Sequence, residues 1–511
     1  MRKYIFILII VGFLVYSNSL FNNFVWDDEE FIANNPTIRS VKNIPLFFTN
    51  SIDKSSAYYR PVMLTLHTIV YSLFGGQPFF FRLFQVLIHL VNGVIIFLIF
   101  AGLFNKKYLT AFFLALIFLI HPVNSEAVLF TSATQDPLFF LVGASALLLI
   151  IHKQQISLRR LAVAAGLLLT GLLIKETAIV FYVLIFFYLI IFNKKYINKY
   201  LIIGTVSIWL YFFLRLLGGS SYVQGQGLFP IMRVTWGARL LTIPKIILFY
   251  LEKFFVPWKL AIAQHWVVTT PTLINFYFPL IIDVVFFTAI IIYCLRTKNK
   301  LFIFFALWFV IGLLPHLQLI PLNMTAAERW MYFSIAGLLG MFGVLGGLGE
   351  KGHLRKKIVL CVIMVCLLSL RTTVRGFDWQ SDLSLFPHDI KFTASTFDLE
   401  NNLGVALFRG GKINEAARHF KKSTELAPYW WVNWNNLGAV YEKNGDLFKA
   451  ENYYLQAIQN GDYYLAYENY AKILIKQKKE NQARVFLETT ALKKFPDNQT
   501  LNNLYLRLTN F

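Results

Sequence analysis

From Tyr4 to about residue 372, runs of roughly 20 apolar residues follow one another with short polar breaks. A helix of that length matches the hydrocarbon core of a bilayer, so the chain is constrained to cross a membrane repeatedly. Charged residues make up 15% of the chain, against about 25% in soluble domains. From about residue 388 the charges return, with Asn and Gln, and the apolar runs break up. The expected class is all-α. A polytopic membrane domain covers 1–375, a linker 376–387, and a soluble helical domain 388–511.

Eleven spans are expected, at 4–20, 79–104, 109–121, 137–151, 161–174, 177–192, 200–217, 274–295, 301–315, 331–348 and 357–371. Basic residues fall in alternate connections. They are Arg2 and Lys3; Lys106 and Lys107; Lys153, Arg159 and Arg160; Lys194, Lys195 and Lys199; Arg296, Lys298 and Lys300; and Lys351, Arg355, Lys356 and Lys357. If these connections are cytoplasmic, the positive-inside rule holds throughout. The segment 239–257, with four charges and Pro244, must then be re-entrant or interfacial. The N-terminus lies inside and the C-terminal domain outside. Ser17-Asn18-Ser19-Leu20 lacks a small-x-small cleavage pattern, so the first span reads as a retained signal anchor.

The net charge is +21. From Asp389 onward, 16 Lys/Arg and 13 Asp/Glu leave +3, so +18 belongs to the membrane part. Loop topology accounts for that excess. A nucleic-acid partner would need a basic stripe on a soluble domain, and there is none. Cys294, Cys361 and Cys366 lie in apolar segments and suggest no disulfide framework.

The same topology collects the acids. Asp27, Asp28, Glu29, Glu30, Glu126, Asp136, Glu176 and Glu328 fall at outer span ends or in outer loops, whereas the inner loops hold only Glu350. Chemistry is therefore expected at the outer face. The first outer loop, 21–78, carries Trp26-Asp27-Asp28 and Tyr59-Arg60-Pro61, then a surface helix from Pro61 to Phe74 ended by Gly75-Gly76. Asp27 or Asp28 could act as a general base, its pKa raised by its neighbour, or the pair could share a divalent cation. Trp26 could anchor the interface or line a sugar site. The plain alternative is a solvated helix end. His121-Pro122 through Asp136-Pro137 offers His121, Glu126 and Asp136, or simply a capped turn. Lys175-Glu176 and Glu328-Arg329 could each be a local ion pair. Arg329 could instead grip a phosphate. His316 and His265 lack paired metal-ligand spacing, and no CxxC, HExxH or Walker loop occurs. No cofactor is implied beyond that cation.

The soluble tail repeats itself. Asn401-Asn402-Leu403-Gly404 returns as Asn435-Asn436-Leu437-Gly438, with Gly411, Ala416 and Phe420 matched by Gly445, Ala450 and Tyr454, all 34 positions on. A weaker third copy has Tyr470-Ala471, Ala483, Leu487 and Pro496. The pattern resembles the tetratricopeptide repeat, an α-solenoid of helix pairs that commonly presents a face to a polypeptide.

Taken together, Trp26-Asp27-Asp28, Tyr59-Arg60-Pro61, His121-Pro122-Val123 with Glu126-Ala127-Val128, Lys175-Glu176, and Glu328-Arg329 with Tyr332 resemble the transmembrane and tetratricopeptide-repeat-containing O-mannosyltransferases. More broadly the motifs resemble GT-C class glycosyltransferases that use polyprenyl-phosphate sugars. The resemblance implies that Asp27 and Asp28 are the catalytic and acceptor-side acids. Arg60, His121, Glu126 and Asp136 would line the same cavity, and Lys175 and Arg329 would meet the donor phosphate. One departure stands out: where the family commonly has an Arg shortly before the acid aligned with Asp136, this chain has Thr134-Gln135. About three repeats, fewer than in eukaryotic members, point to a bacterial relative in the inner (plasma) membrane, with the repeats on the outer side.

The implied reaction moves mannose or a similar hexose from a polyprenyl-phosphate donor to a protein hydroxyl, with inversion. The acceptor polypeptide would be held by the repeat domain. Rival readings are an O-antigen-type ligase or polymerase, a transporter or flippase, and a non-catalytic repeat scaffold. A transporter would place charges near the midplane, whereas these cluster at outer ends.

Overall fold

A computed structural model describes residues 1–49, 58–151, 155–218, 227–346, 354–393 and 396–509. Lys153, Glu350 and Lys351 of the charge pattern lie outside the described residues. The chain divides into two compact units, Met1–Ser384 and Leu385–Phe511. Among the described residues both are helical, with one isolated bridge between Gln264 and Ala326.

In the first unit, seven helices are long and apolar enough to cross a membrane, or eight if the bent pair Tyr108–Ile120 and Pro122–Leu129 is one span. This makes the chain a multi-pass membrane protein. The other expected spans fall in the helices Leu158–Ile174, Glu176–Phe192 and Lys300–His316, each below the full crossing length. The segment around 239–257 forms one helix, Trp236–Phe255, with Pro244 inside it and Lys253 buried. The surface helix appears as Pro61–Phe74. Gly75 ends it at φ +66°, donating its N–H to Tyr71.

Spans pack through small residues. A Cβ on Gly337 would fall on the main-chain nitrogen of Phe309, where the helices Lys300–Leu313 and Met331–Gly346 cross. Backbone cannot give way as a side-chain tip can. We expect Gly337→Val to abolish the monodisperse peak in detergent size-exclusion chromatography; a variant with wild-type elution and melting would show that this crossing can open.

The first and last long helices are stitched together. Asn18 donates to the Thr373 carbonyl (2.9 Å) and Asn22 to that of Gly376 (2.9 Å). Thr373 donates back to Val15 (3.3 Å), and the Asn23 N–H reaches Gln380 (3.1 Å). The stretch 376–387 joins this packing as far as Ser384, with Trp379 fully buried.

The second unit stacks the helix pairs Phe397–Arg409 with Ile413–Leu426, and Trp431–Lys443 with Leu447–Asn460. Tyr464–Lys476 then packs with a third partner beginning at Glu480, and Gln499–Thr509 closes the array. Gly404 and Gly438 explain the repeat. A Cβ on either would stand 2.7 Å from the ring of Phe420 or Tyr454, so glycine lets each pair close over its aromatic plug.

Candidate functional site

The site begins where the first helix, Arg2–Tyr16, has unwound through a short turn to Phe21. Trp26 takes a left-handed backbone, φ 51°. That conformation costs a bulky residue about 1–3 kcal/mol and persists only where the surroundings impose it. Here the Trp26 N–H donates to Asp382 (3.0 Å), and the indole stacks on Phe130 (centroids 5.6 Å, planes at 13°). The reversal sends the next two carboxylates to different places.

Asp28 is fully buried. Its Oδ1 accepts from the Ser132 N–H (2.6 Å) and hydroxyl (2.7 Å), and its Oδ2 from the Val25 N–H (3.3 Å). Burial pushes its carboxyl above the usual range, while nearby Arg82 and these donors pull it back. Arg82, itself buried, donates to the carbonyls of Asn22, Asn23 and Leu129. Asp28 therefore fastens the loop to the turn at Thr131–Ala133. Asp27 is half-buried and lies within electrostatic reach of Arg329. Glu30 is exposed.

The pairings of the other charges are not the local ones. Arg329 turns from Glu328 and bonds Glu126, which accepts both its guanidinium and its main-chain N–H (2.9 Å). Lys175 turns from Glu176 and donates to Asp136 (2.5 Å), with Phe139 under its ammonium. Glu176 faces Arg60 and Arg215, each at 3.5 Å. These groups form one field: Lys175 feels Asp136, Arg60 and Arg329, and Arg329 feels Glu126, Asp136 and Asp27. A cavity of about 10 Å³, room for one water, lies among Asp136, Arg329, His316 and Tyr332. The second oxygen of Asp136 is buried there without a hydrogen-bond partner.

Two expected members sit elsewhere. His121 spends both ring nitrogens on backbone, accepting from the Val123 N–H (3.2 Å) and meeting the Phe254 carbonyl (3.0 Å) while stacked on Phe254. It caps its turn and borders an apolar groove of about 410 Å³ that runs past Phe342, Leu360 and Met364. The expectation that it lines the same cavity as Asp136 is corrected: proline at 122 ends the helix, and His121 satisfies the turn. Glu328 lies within electrostatic reach of Glu126 but bonds a neighbouring main chain. Its Oε1 accepts from the Ala261 N–H (2.7 Å), and it lies within reach of Arg375 and Lys253. Trp26, Asp27, Arg60, Glu126, Asp136, Lys175, Glu176 and Arg329 remain together. Sequence reading missed Arg82, Ser132 and Asp382. The signal for Arg82 was a charge lodged inside an apolar run; Ser132 and Asp382 carried none. No group of three or more His, Cys, Asp or Glu side chains with the spacing of a metal site occurs among the described residues.

A multi-pass helical unit with a buried network of acids and bases, joined to a helical-repeat unit, is the class that fold and site define. Residues 57–217 match the family model of dolichyl-phosphate-mannose-protein mannosyltransferases, and 433–460 that of a tetratricopeptide repeat. The chain is 21% identical to protein O-mannosyl-transferase F38B6.6 of Caenorhabditis elegans, over 83% of this chain and 62% of the relative. It is 24% identical to human protein O-mannosyl-transferase TMTC3, over 88% and 54%. A shorter stretch, 22% of this chain, is 34% identical to human TMTC1 over 14% of its length. The chain thus spans little more than half the length of the longer-matching relatives. The structure of ArnT from Cupriavidus metallidurans bound to undecaprenyl phosphate aligns over 99% of this chain and 84% of its own, with TM-score 0.44 and 13% identity. The family resemblance read from the motifs is borne out by these relatives.

Proposed function

We propose that the protein transfers mannose or a similar hexose from a polyprenyl-phosphate donor to a Ser/Thr hydroxyl of a polypeptide at the outer membrane face. The observation that carries this reading is the split between the two adjacent carboxylates. Asp28 is consumed in holding the loop, whereas Asp27 is half-buried and within electrostatic reach of Arg329. Asp27 takes the acceptor's hydroxyl proton. The acceptor oxygen bonds the anomeric carbon as the bond to phosphate breaks, and the electron pair leaves on the phosphate. A single displacement inverts that carbon.

Charge bookkeeping sharpens the donor side. Lys175 and Arg329 are each neutralised by a buried carboxylate. Arg60 and Arg215 face one carboxylate, Glu176, that is about a third exposed. Arg60 and Arg215 together are therefore the first cations to meet an incoming phosphate, with Lys175 and Arg329 stabilising the departing charge behind them. The apolar groove beside His121 suits an isoprenoid tail. The membrane is a bacterial inner membrane, and the repeat unit captures the acceptor and raises its local concentration.

Reconstitution with a panel of polyprenyl-phosphate sugars, followed by mass spectrometry of candidate acceptors, tests the reading. Transfer to glycan or lipid alone would overturn it. Arg60→Ala should lower melting only modestly, since Glu176 keeps Arg215 as a partner at 3.5 Å. It should raise the donor KM roughly tenfold or more, as expected for a lost charge-assisted bond. An unchanged donor KM would remove Arg60 from the phosphate's path.

A further inference from the structure

His316 stands at the cation cluster, and the transfer step leaves it unused. It follows Pro315, where the helix Lys300–Leu313 gives way to a short turn. Its ring lies flat on that of Trp330 (centroids 4.8 Å, planes at 12°), the residue after Arg329. The two ring nitrogens have different surroundings. Nδ1 is sealed from solvent without a hydrogen-bond partner. Nε2 has no partner among the described residues either, but it is not sealed. Buried Asp136 lines the same small cavity as His316, and its Oδ2 is a second sealed orphan. Each such atom left unpaired costs about 1–3 kcal/mol. Two of them at one cavity of about 10 Å³ mark a water site. Thr177 and Arg329 complete the polar lining, which supplies the two to four neighbours a buried water bonds. A metal ion would be repelled there, because Lys175 and Arg329 both lie within electrostatic reach of His316.

We infer that one buried water joins Asp136 to His316, and that His316, so fixed, offers Nε2 to a hydroxyl of the donor's sugar. The inference rests on the transferase reading for the identity of that donor. Asp136, paired with Lys175, acts only as an acceptor. The water donates to its Oδ2 and accepts from the Nδ1–H of His316. That puts the ring's proton on Nδ1 and a lone pair on Nε2. The two cations oppose a second proton on the ring, so the imidazole does not compete with Asp27 for the acceptor's proton. Neutral Nε2 cannot bond a phosphodiester oxygen, since neither atom carries a hydrogen. A sugar hydroxyl can donate to it. His316 thus selects the sugar while the neighbouring cations hold the phosphate.

The test uses the full chain in nanodiscs, without acceptor peptide. Its probes are polyprenyl-phosphate mannose and its monodeoxy forms, competed against a fluorescent polyprenyl phosphate. One deoxy form should bind wild type roughly tenfold more weakly than the parent, as for one lost hydrogen bond. His316→Phe keeps the stack on Trp330 and should fold normally, yet bind the parent and that deoxy form equally. His316→Gln, whose amide reaches the place of Nε2, should regain part of the preference. Nitrogen NMR of isotope-labelled histidines, with His316→Phe assigning the signal, should show the Nδ1–H tautomer. A wild type indifferent to every deoxy form, a preference that survives His316→Phe, or an Nε2–H tautomer overturns the inference. A wild type that shows the preference but transfers no sugar to peptide overturns the transferase reading and leaves the His316 site standing.

Discussion

Asp27→Asn is expected to cut sugar transfer by roughly a hundred- to ten-thousand-fold, the usual contribution of a positioned general base, with melting close to wild type. The side chains are nearly isosteric, Asp27 is only half-buried, and the loop's position is fixed by its neighbours. Asp28→Asn should behave in the opposite sense. Its amide would present N–H to a pocket that already supplies donors from Ser132 and Val25. An orphaned donor of that kind costs about 1–3 kcal/mol. The variant should melt lower and yield less protein, with transfer per folded molecule falling less than in Asp27→Asn. Liposome assays normalised to folded protein separate the two. Wild-type transfer by well-folded Asp27→Asn would end its assignment as base.

The second large effect concerns Glu126 and Arg329. The pair is almost wholly buried, and removing one partner leaves a charge without compensation, at about 3–5 kcal/mol. Arg329→Met should therefore collapse the membrane unit's melting transition. Adding Glu126→Gln removes the stranded charge and should restore much of the loss, because a buried pair replaced as a unit is often neutral. Transfer should not return if Arg329 has the role proposed for it, since its cation is still missing. If Arg329→Met alone melts like wild type, the pair is not a structural keystone, and solvent reaches the site more freely than its burial implies.

The contrast between neighbours shows how far the sequence could be read. Apolar runs, basic loops and the 34-residue period made the two-part helical architecture legible, because each depends on local composition or spacing. The motif residues were legible as a set for the same reason: polar groups at span ends are conspicuous. Their pairing was not. Lys175-Glu176 and Glu328-Arg329 invited local ion pairs, yet adjacent residues on a helical turn point apart. The true partners, Asp136 for Lys175 and Glu126 for Arg329, stand 39 and 203 positions away. Asp27 and Asp28 could not be told apart either. Their difference comes from the left-handed turn at Trp26, which is imposed by Asp382, Phe130 and Ser132 from elsewhere in the fold.

The stitching of the first helix to the last bears on the order in which the protein is made. Trp26 waits for Asp382, 356 positions later, and Asn22 for Gly376, 354 positions later. A nascent chain can insert its early spans and expose its cationic residues long before those partners leave the ribosome. Through that interval the segment carrying Asp27 lacks the bonds that fix its turn. The turn that sets Asp27 apart from Asp28 is therefore completed only when the helix Leu354–Asp378 and Asp382 beyond it have been made.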